Sequence, residues 1–179
     1  MINSEFNSVP QRVEALLRAS GPLAAEVICR QLAISQPSLS RAVAAGAGRI
    51  SMFGRGKATR YGAARTIATM GSEFPLYTID EAGASAKAAV LHAISGGRYW
   101  LQPPEGLGRV FPDLPYFLQD MRPQGYLGRT FPRQHNHLGV PPRIADWGSD
   151  HVILALARAG EDCVGNLVLG RESMDRLLA

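Results

Sequence analysis

The sequence predicts an α+β protein in two parts: three short helices closed by a two-stranded hairpin, then a small mixed α/β unit with an antiparallel sheet. Three observations predict it. Apolar residues recur at helical spacing three times before Gly46. Two β-prone runs then flank a glycine-rich, doubly basic stretch at Gly54-Arg55-Gly56-Lys57. Beyond Glu73, glycine-bounded runs follow one another at the spacing of a meander before helical patterns return. The 179 residues suffice for one ordinary domain or two small ones and are too few for a barrel enzyme. With 46% apolar and 19% charged residues there is enough apolar surface to offset chain entropy, so the chain is expected to be globular.

Val9 to Ala19 places Val13, Leu16 and Leu17 at i, i+3, i+4, one buried helical stripe, and Ser20-Gly21-Pro22 stops it. Leu23 to Leu32 repeats the pattern with Val27, Ile28 and Leu32, and Ala33-Ile34-Ser35 makes a tight link. Ser35 is suited to accept from the free amides of a third helix, Pro37 is tolerated in its first turn, and Leu39 and Val43 form an inward pair. Arg49 to Phe53 and Ala58 to Tyr61 read as two short strands around the basic tip.

Charge is unevenly divided. Residues 1–65 carry nine basic and three acidic side chains, a balance of +6, whereas residues 66–179 carry ten and twelve, a balance of −2. A basic first third on a near-neutral remainder fits a nucleic-acid module fused to another domain, and equally a small well-solvated domain. Away from Leu39 and Val43, the third helix presents Gln36, Ser38, Ser40, Arg41 and Ala44, short groups and one long cation, a face slim enough for a major groove. Arg55, Lys57 and Arg60 on the hairpin are placed to neutralise backbone phosphates. The order of cap, helix, turn and basic hairpin resembles a winged helix-turn-helix, and Ile34 to Val43 looks like the recognition-helix segment of many bacterial regulators. The resemblance implies double-stranded DNA as a partner. Winged helices also serve as protein-docking or dimerisation modules, and that alternative stays open. A homodimer would suit two-fold symmetric DNA sites, although no coiled-coil repeat is visible.

In the second part, Leu76 to Asp80, Lys87 to Ile94 and Arg98 to Leu101 read as strands, with turns at Glu81 to Ser85 and Ser95-Gly96-Gly97. The alanines around Val90 would also suit a helix, but glycine-bounded spacing favours a meander. Leu114 to Met121 and Gly125 to Phe131 read as helices interrupted by Pro123, and Gln134 to Arg143 as loop. Ser149 or Asp150 is placed to cap a helix to Ala159, Cys163 to Leu169 makes a last strand, and Glu172 to Leu178 a terminal helix. The expected divisions are residues 1–65 for the first domain, 66–73 for a linker and 74–179 for the second.

Phe74-Pro75-Leu76-Tyr77, Leu114 to Leu118, Asp120 to Arg129 and Gly160 to Leu167 together resemble the amino-terminal subdomain of HipA-family serine/threonine kinases of toxin-antitoxin systems, in their YjjJ-like branch. Members of that branch carry a winged helix ahead of this subdomain, so the resemblance covers nearly the whole chain. It implies docking on a HipA-like kinase core, in cis or in trans. A kinase needs a phosphate-cradling loop, a catalytic aspartate and metal ligands, and the sequence has none of them, so this chain by itself is expected to lack phosphotransfer activity and to need no cofactor. Two readings stay open: the front of a longer kinase, or a separate partner that counteracts one.

Other signals are weaker. Gly54 to Thr59 lacks the first glycine of a phosphate loop, which is Ser51 here, and has alanine in place of the hydroxyl. His135 and His137 could face a metal but have no cysteines or spaced carboxylates near them, so they read as solvated. Asp162 and Asn166 do not match a catalytic-loop spacing and read as turn residues, while Asp150-His151 reads as a helix cap rather than an acid-base pair. Trp100, Tyr116, Phe117, Tyr126 and Trp147 are assigned to the second core, with a partner patch as the alternative. Cys29 and Cys163 stand alone as small core residues, and the lack of an apolar run of eighteen or of a basic, apolar amino terminus points to the cytoplasm.

Overall fold

Gln11 sets the start of the first helix. In the computed structural model, which describes residues 8–160 and 165–179, its side-chain oxygen accepts the Ser8 amide at 2.8 Å, and α1 runs Val9–Ser20. Gly21, at φ +82°, ends α1, its amide donating to the Leu17 carbonyl. α2 (Ala25–Leu32) stops at Ala33, whose left-handed φ of 52° is uncommon for a residue with a Cβ. The turn passes directly into α3 (Gln36–Ala45), and Gly46 leads into β1 (Ile50–Phe53), which pairs antiparallel with β2 (Arg60–Ala63). Val13, Leu17, Ile28, Leu39, Ala42, Ile50 and Tyr61 close the core between them.

Two details differ from expectation. The inward pair on α3 is Leu39 with Ala42, and Val43 is only half-buried at the edge of that core. Leu39 has inward neighbours at both i+3 and i+4, and the smaller one faces α1, where the helices pack closely. The second strand begins at Arg60 rather than Ala58, because Gly56–Ala58 wind into one 3₁₀ turn that lengthens the tip.

Five strands form the second sheet: β3 (Glu73–Ile79), β4 (Ser85–Ile94), β5 (Arg98–Gln102), β6 (Arg109–Phe111) and β7 (Leu167–Leu169). Their order is β6-β5-β4-β3-β7 and each neighbouring pair is antiparallel. The alanine-rich 87–94 segment is strand, as the glycine spacing predicts. Ala89, Leu91 and Ala93 point to one face, and His92 and Ile94 to the other. α4 (Tyr116–Asp120), α5 (Gly125–Gln134), α6 (Ser149–Ala159) and α7 (Arg171–Leu177) pack on the first of these faces, where Leu118, Phe131, Trp147, Ile153 and Leu156 meet Leu76, Leu91 and Tyr99.

Some boundaries are corrected. β6 was not expected, the loop after α5 contains a 3₁₀ turn at Asn136–Leu138, and the last strand is limited to Leu167–Leu169. Cys163 and Asp162, named above, lie outside the described residues. The cap of α6 is Gly148, whose amide donates to His151 Nδ1 at 3.1 Å; Ser149 instead donates to Asp113 at 2.6 Å. Tyr116 and Tyr126 are 75% and 73% exposed and contribute nothing to the core, unlike Trp147. Their short helices bury one side only, and that side is taken by Leu118 and by Phe131.

The helical first unit packs on the other face of the sheet. Phe53 stacks on Trp100 with centroids 4.9 Å apart and meets His92 edge-on at 5.2 Å, and Ile94 and Val110 complete this apolar seam. Gly62 makes room for it, since a Cβ there would come within 2.9 Å of the Phe53 ring. Ala64 bridges to Ile94, and the Ser95 hydroxyl donates to the Leu17 carbonyl at 3.3 Å. The stretch 66–73, expected as a linker, holds Ile67 at 2% exposure, and the Ala93 amide donates to Ser72 at 2.8 Å. Just before it, the Arg65 guanidinium donates to Asp150 and to the Tyr99 hydroxyl, and that hydroxyl donates to Asp150 at 3.0 Å. Burial first, then the Asp150 charge, raises the Tyr99 phenol far above its ordinary range, so it remains a neutral donor.

Truncating the stacked ring should be costly: Phe53→Ala is expected to lose about 3–5 kcal/mol of stability, seen as a lower urea midpoint. His92 gives the seam a pH dependence. Burial, opposed in part by Glu73, holds its imidazole below the ordinary value of 6.5. The unfolded chain therefore takes up the proton first, and the stability that His92 contributes is present above 6.5 and lost as the pH falls below it. The Tm of the wild-type chain should drop more steeply than that of His92→Gln over this interval.

Candidate nucleic-acid interface

Ser35 fixes the start of α3. Its hydroxyl accepts the Ser38 amide at 3.3 Å and lies 3.0 Å from the Ser38 hydroxyl. With Leu39 and Ala42 turned inward, 3.6-residue periodicity turns Pro37, Ser40, Arg41, Ala44 and Ala45 outward, and all five are exposed. The outward face is thus small side chains around one arginine. Ser38 and Gln36 lie on its two flanks. Ser38 and Arg41 line a shallow groove with Val9 and Pro10 of α1, whereas Gln36 accepts a hydrogen bond from the Cys29 thiol of α2 at 3.7 Å. Arg41 leans back along its own helix, within 3.4 Å of both the Pro37 carbonyl and the Ser38 hydroxyl.

On the hairpin, Arg55 and Lys57 are exposed at the tip, and Met52 beside them is 62% exposed. Arg60 is different. It is half-buried, and its guanidinium donates to the carbonyls of Thr59 at 3.0 Å and Lys57 at 3.3 Å, so it shapes the loop that carries the other two. Among the described residues, Arg41, Arg55, Lys57 and Arg60 enter no salt bridge, while Arg18 and Arg49 share Glu14 and Arg30 pairs with Glu26. The described carboxylates of this unit, Glu14 and Glu26, therefore sit with Arg18, Arg49 and Arg30. The hairpin itself is anchored through β2 to α1 and through Phe53 to the large sheet, and its tip is left outside both.

Elsewhere, the ring of His135 lies 4.3 Å from that of Phe131 and 6.0 Å from that of His137. Among the described residues no group of three or more His, Cys, Asp or Glu side chains could hold a metal ion, and no helix is long and apolar enough to cross a membrane. Sequence reasoning missed the Arg65–Tyr99–Asp150 triangle, whose members are spread along the chain and carry no local spacing signal.

These features define an α+β protein of two packed units, the first presenting a slim polar helix face and a cationic hairpin tip. Residues 70–178 match the family model described as the middle domain of YjjJ-like toxins, and the chain belongs to that family. It is also 31% identical over 162 residues to Toxin YjjJ of Escherichia coli (strain K12), an alignment covering 89% of this chain and 36% of that protein. The likeness therefore reaches well ahead of residue 70, and the chain spans about a third of its relative's length. No solved structure matches.

Removing the α3 cap tests how firmly this face is set: Ser35→Ala should lose about 1 kcal/mol in chemical unfolding and increase amide exchange at Ser38.

Proposed function

We propose that the chain binds double-stranded DNA through α3 and the β1–β2 hairpin, working as a winged helix-turn-helix, and that it regulates transcription within a toxin-antitoxin type system. Gln36, Ser38, Ser40 and Arg41 approach base edges and nearby phosphates, and Arg55, Lys57 and Arg60 meet the backbone from the hairpin. The HipA-like subdomain, residues 74–179, docks on a kinase core in cis or in trans, in the cytoplasm, and this part of the protein carries out no phosphotransfer itself. One observation carries the reading: the outward face of α3 holds only small side chains and Arg41, and none of the cations assigned to DNA is neutralised by a carboxylate among the described residues. The name of the relative, a toxin, supports the setting.

A second reading has its own support. The relative is much longer than the part matched, as it would be if this region were the non-catalytic amino-terminal part of a HipA-like serine/threonine kinase; a kinase-neutralising partner is the variant of that idea acting in trans. In either case the first unit would hold protein instead of DNA. The downstream reading frame separates a fragment from a partner.

The deciding measurement is a salt-titrated binding assay on duplex DNA from the protein's own promoter. Affinity should fall steeply with salt, and Arg41→Ala with Arg55→Ala should abolish binding at moderate salt, while Lys57→Ala alone should reduce the logarithmic salt slope by about one. A folded double variant that binds as tightly as the wild type would refute the DNA reading.

A further inference from the structure

A second cationic site lies on the far side of the sheet. A groove with a cavity of about 870 Å³ runs between α5 and residues 142–145, and Arg122, Arg129, Arg133 and Arg143 all line it. Among the described residues lining it there is no carboxylate. Arg143 is already paired with Asp146 at 2.9 Å, but Arg122, Arg129 and Arg133 enter no salt bridge among the described residues. Arg122 has a more pointed need: its Nε is buried and has no hydrogen-bond partner. Arg122 as a whole is half-buried in the groove wall and its guanidinium makes no hydrogen bond among the described residues, so a ligand's acceptor oxygens can meet its terminal nitrogens there. The same end of the groove holds the start of α5, where Gln124 gives no side-chain cap and the first amides have no helical acceptor.

We propose that this groove binds a peptide segment bearing phosphoserine or phosphothreonine. The phosphoryl group, with three acceptor oxygens and close to two negative charges, seats at the Arg122 and α5 amide end, and Arg129 holds it by paired N–H···O bonds. A peptide suits the remaining walls, since Pro123, Tyr126, Pro142 and Ile144 offer apolar contact to the residues beside the phosphate. Length favours it too. The ten residues of α5 span about 15 Å, enough for about four extended residues, whereas single-stranded nucleic acids take grooves that track a longer run of backbone phosphates. Duplex DNA on α3 and the hairpin would lie against the opposite layer, so one duplex has no direct path to both sites.

The test uses the full chain and a fluorescent degenerate peptide pool with one central phosphoserine, against the same pool unphosphorylated, read by anisotropy. The phosphorylated pool should bind at least about tenfold more tightly, the effect of one charge-assisted hydrogen bond. Arg129→Gln with Arg133→Gln, both exposed positions, should erase that difference without moving the Tm. Arg41→Ala with Arg55→Ala should leave it intact, which keeps this result separate from the DNA assay. Equal binding of the two pools overturns the proposal. So does full competition by inorganic phosphate at the pool's own concentration, which would indicate a bare anion site. A loss of single-stranded oligonucleotide binding in the Arg129/Arg133 variant, with phosphopeptide binding unchanged, would overturn it in favour of nucleic acid.

Discussion

The apolar seam between Phe53 and the face formed by His92, Ile94 and Trp100 is the contact on which the arrangement of this protein depends. A two-stranded hairpin is marginal alone, and β1–β2 becomes rigid by burying one side on a five-stranded sheet. That sheet is in turn fixed because four helices cover its other face. The seam therefore converts two small units, each with a modest core, into one three-layered body.

Polar contacts set the register of that body. Ala64 extends the hairpin into a bridge with Ile94, Ser95 holds the last turn of α1, and Arg65 ties the chain after β2 to Tyr99 and Asp150 at the start of α6. Arg65 is raised in pKa although burial opposes it, since the hydrogen bond to Asp150 and the charges of Tyr99 and Asp150 outweigh desolvation. A half-buried triangle of this kind adds direction more than stability, because partial desolvation and solvent screening offset much of the attraction between its charges.

With both ends of the first unit fastened, the outer side of α3 and the hairpin tip remain exposed on it. The second unit has its own cationic surface along α5, separated from the first by the thickness of the sheet. The two surfaces differ in form: an exposed slim helix face with a pair of exposed cations at the hairpin tip on one side, and a recessed groove lined by half-buried Arg122 and exposed Arg129 and Arg133 on the other. A convex cationic face suits a groove in its partner, whereas a concave one suits a narrow anionic ligand.

Much of this was legible locally. Helical spacing around Val13, Ile28 and Leu39, the Ser35 cap and the glycine-bounded meander are short-range patterns, and each predicts its element without reference to the rest of the chain. The α+β class and the positions of Arg41, Arg55 and Lys57 on an exposed helix and tip follow from the same patterns. What the sequence could not decide was anything that depends on residues distant along the chain. Trp100 reads as core, yet only packing assigns it to the seam, and Tyr126 reads as core until Phe131 is found occupying the inward side of the same helix. Arg65, Tyr99 and Asp150 meet only after the sheet and α6 are in place. Periodicity reports which side of an element is apolar, but the partner of that side is chosen by the topology, and long-range contacts leave no spacing for a sequence to show.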